Sequence, residues 1–289
     1  MTTARLEIDA LPAVVRPRGK VRTAGLRWGY FVPAAIVLLV AIIGPLVTPF
    51  SATAVVGGTS LAPGGKFLLG TDQNGMDVFS RVIAATRNDV VIALLATIGG
   101  TIAGIVVGVV GGMNEASRGI RGFLAGGLAR VMDILQAVPA VLIGLVLVAL
   151  FQSSIPTLIV ALVLATLPGQ AKLVRTEVLK VRSDAYVDAS RMAGEREVFV
   201  LLRTVLPNSI RPAIENSSAV FGLAIIVTAV LGFLGVGIAP PTPEWGTMIS
   251  LGASEALSLR WWGAAFPTVA LVFTVSSFAI ANTELLRRR

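Results

Sequence analysis

YVDASRMAGEREVFVLLRTVLP, residues Tyr186 to Pro207, lies in the longest charged interval between hydrophobic runs of this chain. It reads as two short helices joined at Gly194. Before the glycine, Ala185, Ala189, Met192 and Ala193 can share one face. After it, Val198, Phe199, Leu202, Val205 and Leu206 recur at a helical period. Glu195 and Glu197 suit the positive end of the second helix dipole, and Arg203 its other end. Pro207 removes a backbone donor and disfavours helix at Leu206, so the pattern predicts a stop there. On spacing alone, the stretch is equally an amphipathic connector lying on a membrane surface.

The surrounding chain decides what kind of connector it is. Hydrophobic residues are 55% of 289 and charged residues 14%, against roughly 25% charged in a soluble domain. That balance predicts an all-α polytopic membrane protein. There is no histidine and no cysteine, which removes disulfides, His general bases, Ser-His-Asp chemistry and the usual metal ligands. No metal site is expected.

Six apolar runs are each long enough to cross a hydrocarbon core of about 30 Å. They cover about Phe31–Phe50, Val90–Gly112, Ala125–Phe151, Ile155–Val174, Ile214–Ile238 and Trp262–Ala281. Pro168 and Gly169 interrupt the fourth. The chain divides into a basic tail (1–28), a first span and loop (29–87), a five-span region (88–283) carrying the charged loop 175–212, and a short basic tail (284–289). Nineteen of the 24 Lys and Arg residues fall in the two tails, in residues 113–121 and in Lys172–Arg211, on one side of such a topology. The positive-inside rule then places both termini and the 175–212 loop in the cytoplasm of a bacterial inner membrane. The net charge of +8 is a topogenic signal, and no nucleic-acid partner is expected.

Within the spans, Gly100, Gly104, Gly108 and Gly112 repeat every four residues, leaving one helix face bare for close packing. Arg130 and Asp133, three apart, can face one another as a structural pair near a membrane boundary. In Leu69–Arg81, Asp72, Asn74 and Asp77 suggest a calcium loop, but the glycine is misplaced and Ile83 stands where a bidentate Glu belongs. The segment reads instead as a turn at Gly75 followed by a helix start. Pro240, Pro241 and Pro243 predict an extended chain, and Trp245 suits a membrane interface.

These segments together resemble one family, the dipeptide/oligopeptide/nickel-type permeases of ABC importers. Asp188-Ala189-Ser190, then Gly194 and Leu206-Pro207, are similar to its "EAA" loop, with Asp for Glu and Ser for the second Ala. Gly70, Thr71, Asp72, Gly75, Asp77 and Arg81 match an LGTD-x-x-GRD-x-x-SR signature, in which Met76 replaces an Arg. Pro240, Pro241, Pro243, Glu244, Trp245 and Gly246 match a PPTPEWG signature, and Arg130–Gly144 is similar to the family's third-span pattern. The C-terminus departs from the family's usual tail.

The resemblance implies a type I ABC importer permease fold with a cytoplasmic coupling helix. It also implies a homologous second permease chain, two ATPase subunits or one fused pair, an extracytoplasmic substrate-binding protein and a surrounding lipid bilayer. Tyr186, Asp188, Ala189, Ser190, Gly194, Glu195, Val198, Phe199, Leu202, Leu206 and Pro207 would then contact the ATPase. No G-x-x-x-x-G-K-[ST] cradle is present, so ATP and Mg would be used by partner subunits and no cofactor bound here. The implied substrates are short peptides, with nickel or glutathione-like molecules as alternatives. The competing class is a stand-alone ion-coupled transporter or channel, which usually carries ionisable groups at mid-span.

Overall fold

The computed structural model describes residues 28–115 and 119–286. The N-terminal basic tail through Arg27, Arg118, and the terminal Arg287–Arg289 lie outside the described residues. The described chain is helical, and its only β pairing is two isolated bridges, Gly64 with Phe67 and Thr71 with Asp77.

A 3-10 turn at Trp28–Phe31 leads into α1 (Val32–Val47), with Pro33 in the first turn where its missing N–H costs nothing. A compact loop follows and ends at Asp77. Its carboxylate accepts from the Ser80 amide at 2.8 Å and caps α2 (Val78–Asn114). At 37 residues, α2 is about 55 Å long, well beyond the bilayer core. It starts twelve residues earlier than the apolar run indicates and carries Asn88 and Asp89 inside its helical register.

The third apolar run is not one span. It is α3 (Ile120–Ala137) and α4 (Ala140–Phe151), bent by 94°. Pro139 is the cause: Val138 is extended (φ −84°, ψ 126°), the conformation a residue before proline prefers. Among the described residues, five helices are long and apolar enough to cross a membrane, or six if the bent pair counts as one span.

Pro168 and Gly169 do not interrupt α5, which runs unbroken over Ile155–Arg182. Thr166, Pro168, Gln170 and Ala171 are all buried there, so packing on both sides of the proline outweighs one missing hydrogen bond. Val178 and Val181 extend the buried stripe beyond Val174, and the first eight residues of the expected 175–212 loop are therefore helix. The chain continues through α6 (Ala185–Met192), α7 (Glu197–Val200), a π-helical turn (Leu201–Val205) and α8 (Leu206–Ser209) into α9 (Arg211–Phe233). The interval between the fifth and sixth expected spans contains α10 (Trp245–Ala256), and α11 (Trp262–Leu286) closes the bundle.

The bundle is organised around α2 and α5. A Cβ at Gly100 would lie 2.3 Å from Thr166 Oγ1, one at Gly104 2.4 Å from Gln170 Cβ, and one at Gly112 2.7 Å from Val178 Cγ1. At Gly108 it would meet the Ala171 carbonyl oxygen at 2.6 Å. Here the two backbones touch. Gln170, fully buried, donates to Thr101 Oγ1 (3.1 Å) and to the Ala213 carbonyl (3.3 Å), joining α9 to the pair. One core gathers Ile92, Leu158, Leu162, Ile225, Leu231 and Trp245. A second, at the 185–209 end, gathers Val109, Val174, Val178, Val187, Val200 and Val205.

Candidate coupling site and the opposite-end cluster

At one end of the bundle, α6 and α7 meet at Gly194, whose φ of +83° lies in the left-handed region that glycine enters without the steric cost of a side chain. A Cβ there would meet nothing within 4 Å, so only the backbone conformation demands glycine. Arg191 spans the turn. Its Nη1 lies 3.2 Å from Asp188 Oδ1 and its Nε 2.9 Å from Glu197 Oε1, one guanidinium holding an acid from each helix. Asp188 thus has a partner within its own chain.

The apolar residues of this stretch divide into two sets. Val187, Val200 and Val205 are fully buried in the second core. Met192, Val198, Phe199 and Leu202 are 83%, 63%, 53% and 53% exposed. The π-helical turn makes the division possible. In a regular α-helix, residues five apart point about 140° away from each other. The Leu206 N–H bonds back to the Leu201 carbonyl, and this wider winding returns Val205 to the side of Val200.

Pro207 therefore does not stop the helix. It occupies the first turn of α8, where no donor is needed. Val205 and Leu206 leave the expected exposed face: Val205 is buried and Leu206 packs against the core. Tyr186, Ala189 and Glu195 are exposed, and Ser190 is half-buried. Partial desolvation, then the charge and hydrogen bond of Asp184, push the Tyr186 hydroxyl above its ordinary value.

At the opposite end, the two sequence signatures 160 residues apart form one cluster. Arg81, 3% exposed, donates through Nη1 to the carbonyls of Ala52 (2.9 Å) and Pro241 (3.1 Å) and to Met76 Sδ (2.8 Å). Its Nε lies 3.3 Å from Asp72 Oδ2, and Asp72 Oδ1 accepts the Asn74 and Met76 amides, both at 2.9 Å. Gly75 turns the chain with φ +74°. Gly70 packs under the Leu61 carbonyl. The Thr71 carbonyl accepts from Trp262 Nε1 at 3.0 Å, and Thr71 Oγ1 donates to the Gly58 carbonyl at 2.7 Å.

From the other signature, Trp245 donates its amide to Asp89 Oδ2 (3.0 Å) and its indole N–H to the Val82 carbonyl (3.3 Å). It is 1% exposed, a core residue and not an interfacial one. The expected extended run is instead a turn at Pro240–Pro241, whose peptide bond is cis. The Pro243 carbonyl accepts from Asn88 Nδ2 at 2.8 Å. Gly246 lets α10 approach α9, since a Cβ would sit 2.1 Å from the Ala229 carbonyl oxygen.

Glu244, fully buried, caps α10 by accepting the Gly246 amide (2.9 Å) and the Thr247 hydroxyl (2.6 Å). Burial nevertheless pushes its carboxyl above the ordinary value of about 4.3. A raised folded-state value means that the stability tied to this group is present below its unfolded value and is lost as pH rises through the folded one. Glu244→Gln is therefore expected to flatten the high-pH side of a thermal-stability profile in detergent, with little change at acid pH.

Arg130 and Asp133 are both exposed on α3, and no ion pair joins them among those of the described residues. Asp133 instead lines a small crevice between α2, α3 and α5 with Lys172 and Arg175.

Residues 100–289 match the family described as binding-protein-dependent transport system inner membrane component. The chain belongs to that family. The dipeptide transport system permease protein DppC of Escherichia coli K12 is 36% identical over 275 residues, 89% of each chain. The di/tripeptide transport system permease protein DppC of Pseudomonas aeruginosa is 32% identical over 257 residues, covering 86% of this chain and 82% of that one. Among solved structures, a chain of the inward-facing MetNI methionine ABC transporter superposes with a TM-score of 0.58. It covers 72% of this chain and 95% of that one at 17% identity, a likeness of fold.

This inner membrane component holds several residues that spacing does not reveal as structural: Val187, Val200, Arg182, Arg191, Asn88 and Asp89. A charge beside the turn glycine is a signal for Arg191. Asp89 carries none in the sequence, because it precedes the apolar run from which the second span is read.

Proposed function

We propose that this chain is a permease subunit of an ATP-driven importer for short peptides, with ATP hydrolysed by separate subunits. The observation that carries the reading is the exposed apolar face of Met192, Val198, Phe199 and Leu202, held out from the bundle by the buried Val187, Val200 and Val205. Four large apolar side chains left uncovered at a helix–turn–helix outside the spans suit a protein partner, since each gains about 1.5–3 kcal/mol on full burial. Family membership supports an ATPase subunit as that partner, and the names of the relatives support dipeptides and tripeptides as substrates.

In this reading the 185–209 end faces the cytoplasm. ATP-driven closure of two ATPase domains displaces α6 and α7, and this chain rocks against a homologous permease between inward- and outward-facing states. A binding protein delivers peptide to the opposite end. The test is uptake of labelled dipeptides and tripeptides into vesicles holding the purified complex. Uptake should require ATP and survive collapse of proton and sodium gradients. Gradient-driven uptake without ATP would support the ion-coupled class instead.

A further inference from the structure

Where α5 ends beside the coupling segment, it is joined to α2 by an interaction that no sequence signature contains. Arg182, the last residue of α5, stands three residues before α6. Its Nη1 donates to the carbonyls of Gly112 (2.7 Å) and Met113 (2.9 Å). Both belong to the last turn of α2, where helix carbonyls lack intrahelical donors and the dipole favours a cation.

Just above, Arg175 forks onto Glu115 at 2.7 and 3.2 Å, but at an exposed position. The glycine contacts of α2 with α5 continue upward from there. At its far end, α2 holds Pro241, Pro243 and Trp245 through Arg81, Asn88 and Asp89. A rod about 55 Å long thus has one end gripped beside the coupling helices and the other attached to the loop at the opposite face.

We propose that Arg182 is the positioning residue that transmits displacement of the coupling segment to α2, and through it to the 240–245 loop. Ser183 and Asp184 separate α5 from α6, so backbone continuity alone delivers the motion to α5. The Arg182 guanidinium delivers it to the neighbouring helix at the same level. Arg175 is a supplementary contact, because an exposed pair contributes little. This inference rests on the importer reading above.

The test uses the complete transporter in vesicles, with ATP hydrolysis and peptide uptake measured on the same sample. Arg182→Ala and Arg182→Met, the latter keeping the length of the side chain, should assemble normally and hydrolyse ATP within about twofold of wild type, while uptake per ATP falls about tenfold or more. Arg182→Lys, which keeps a charged donor, should stay within about threefold, and Glu115→Gln close to wild type.

Wild-type uptake per ATP in an assembled Arg182→Met complex would overturn the proposal. So would failure of both donor-less variants to assemble, since Arg182 would then serve folding and not transmission. A wild-type complex that shows no ATP-dependent peptide uptake would strike the importer reading itself, independently of any Arg182 variant.

Discussion

Gly108→Val is expected to remove most of the protein from the membrane fraction, and Gly111→Ala, three residues away on the same helix, to leave its yield unchanged. The contrast follows from what each new side chain would meet. At Gly108 even a Cβ lies 2.6 Å from the Ala171 carbonyl oxygen, 2.7 Å from Val174 Cβ and 3.0 Å from the Arg175 amide nitrogen. Two of those three atoms are backbone of α5 and cannot rotate away, so α2 and α5 must separate.

Separation there would open the Gly104 and Gly112 contacts on either side. The cost should therefore reach or exceed the upper part of the roughly 1–3 kcal/mol typical of overpacking. A Cβ at Gly111 meets only Arg175 Cδ, at 3.6 Å, an ordinary contact with a flexible side chain, and alanine favours helix over glycine by up to about 1 kcal/mol. Thermal unfolding in detergent and membrane yield report both. Equal behaviour of Gly108→Ala and Gly111→Ala would contradict the backbone contact of α2 with α5.

How much of this was legible in the sequence depended on whether a feature is local. A glycine stripe with a period of four needs only one helix to be seen, and the helix break at Gly194 and the turn at Gly75 are written in backbone preference. The prolines were not legible in this way. Pro139 breaks a span, Pro168 sits inside an unbroken helix and Pro207 occupies the first turn of α8.

Each proline lacks the same donor and clashes in the same way. The outcome turns on whether the flanking turns are buried, as around Pro168, or exposed, as in α3. Similarly, a helical period groups Val198, Phe199, Leu202, Val205 and Leu206 on one face. A single π-helical turn, invisible to any fixed period, sends Val205 into the core and leaves Val198, Phe199 and Leu202 outside. Trp245 was recognisable as part of a signature but not as a core residue, because its partners Asp89 and Val82 lie about 160 residues away in the chain.

Gly194→Val should abolish ATP-dependent uptake while leaving membrane insertion and thermal stability near wild type. Gly194→Asn should retain a substantial part of the activity. The φ of +83° at this position costs a side chain about 1–2 kcal/mol, and a β-branched residue suffers most, whereas asparagine enters the left-handed region readily. Open space around the position means that no packing is lost, so the strain can be relieved only by changing the angle between α6 and α7.

That angle sets where Met192 stands relative to Val198, Phe199 and Leu202. The Arg191 bridge to Asp188 and Glu197 is too exposed to restore it against such strain. The variant should therefore reach the membrane but fail to bind the ATPase. Co-purification from mild detergent distinguishes the cases: wild type and Gly194→Asn should retain ATPase activity in the eluate, and Gly194→Val should lose it. Normal uptake by Gly194→Val would mean that the turn at Gly194 does not set the docking face, and the coupling role assigned to residues 185–209 would fall with it.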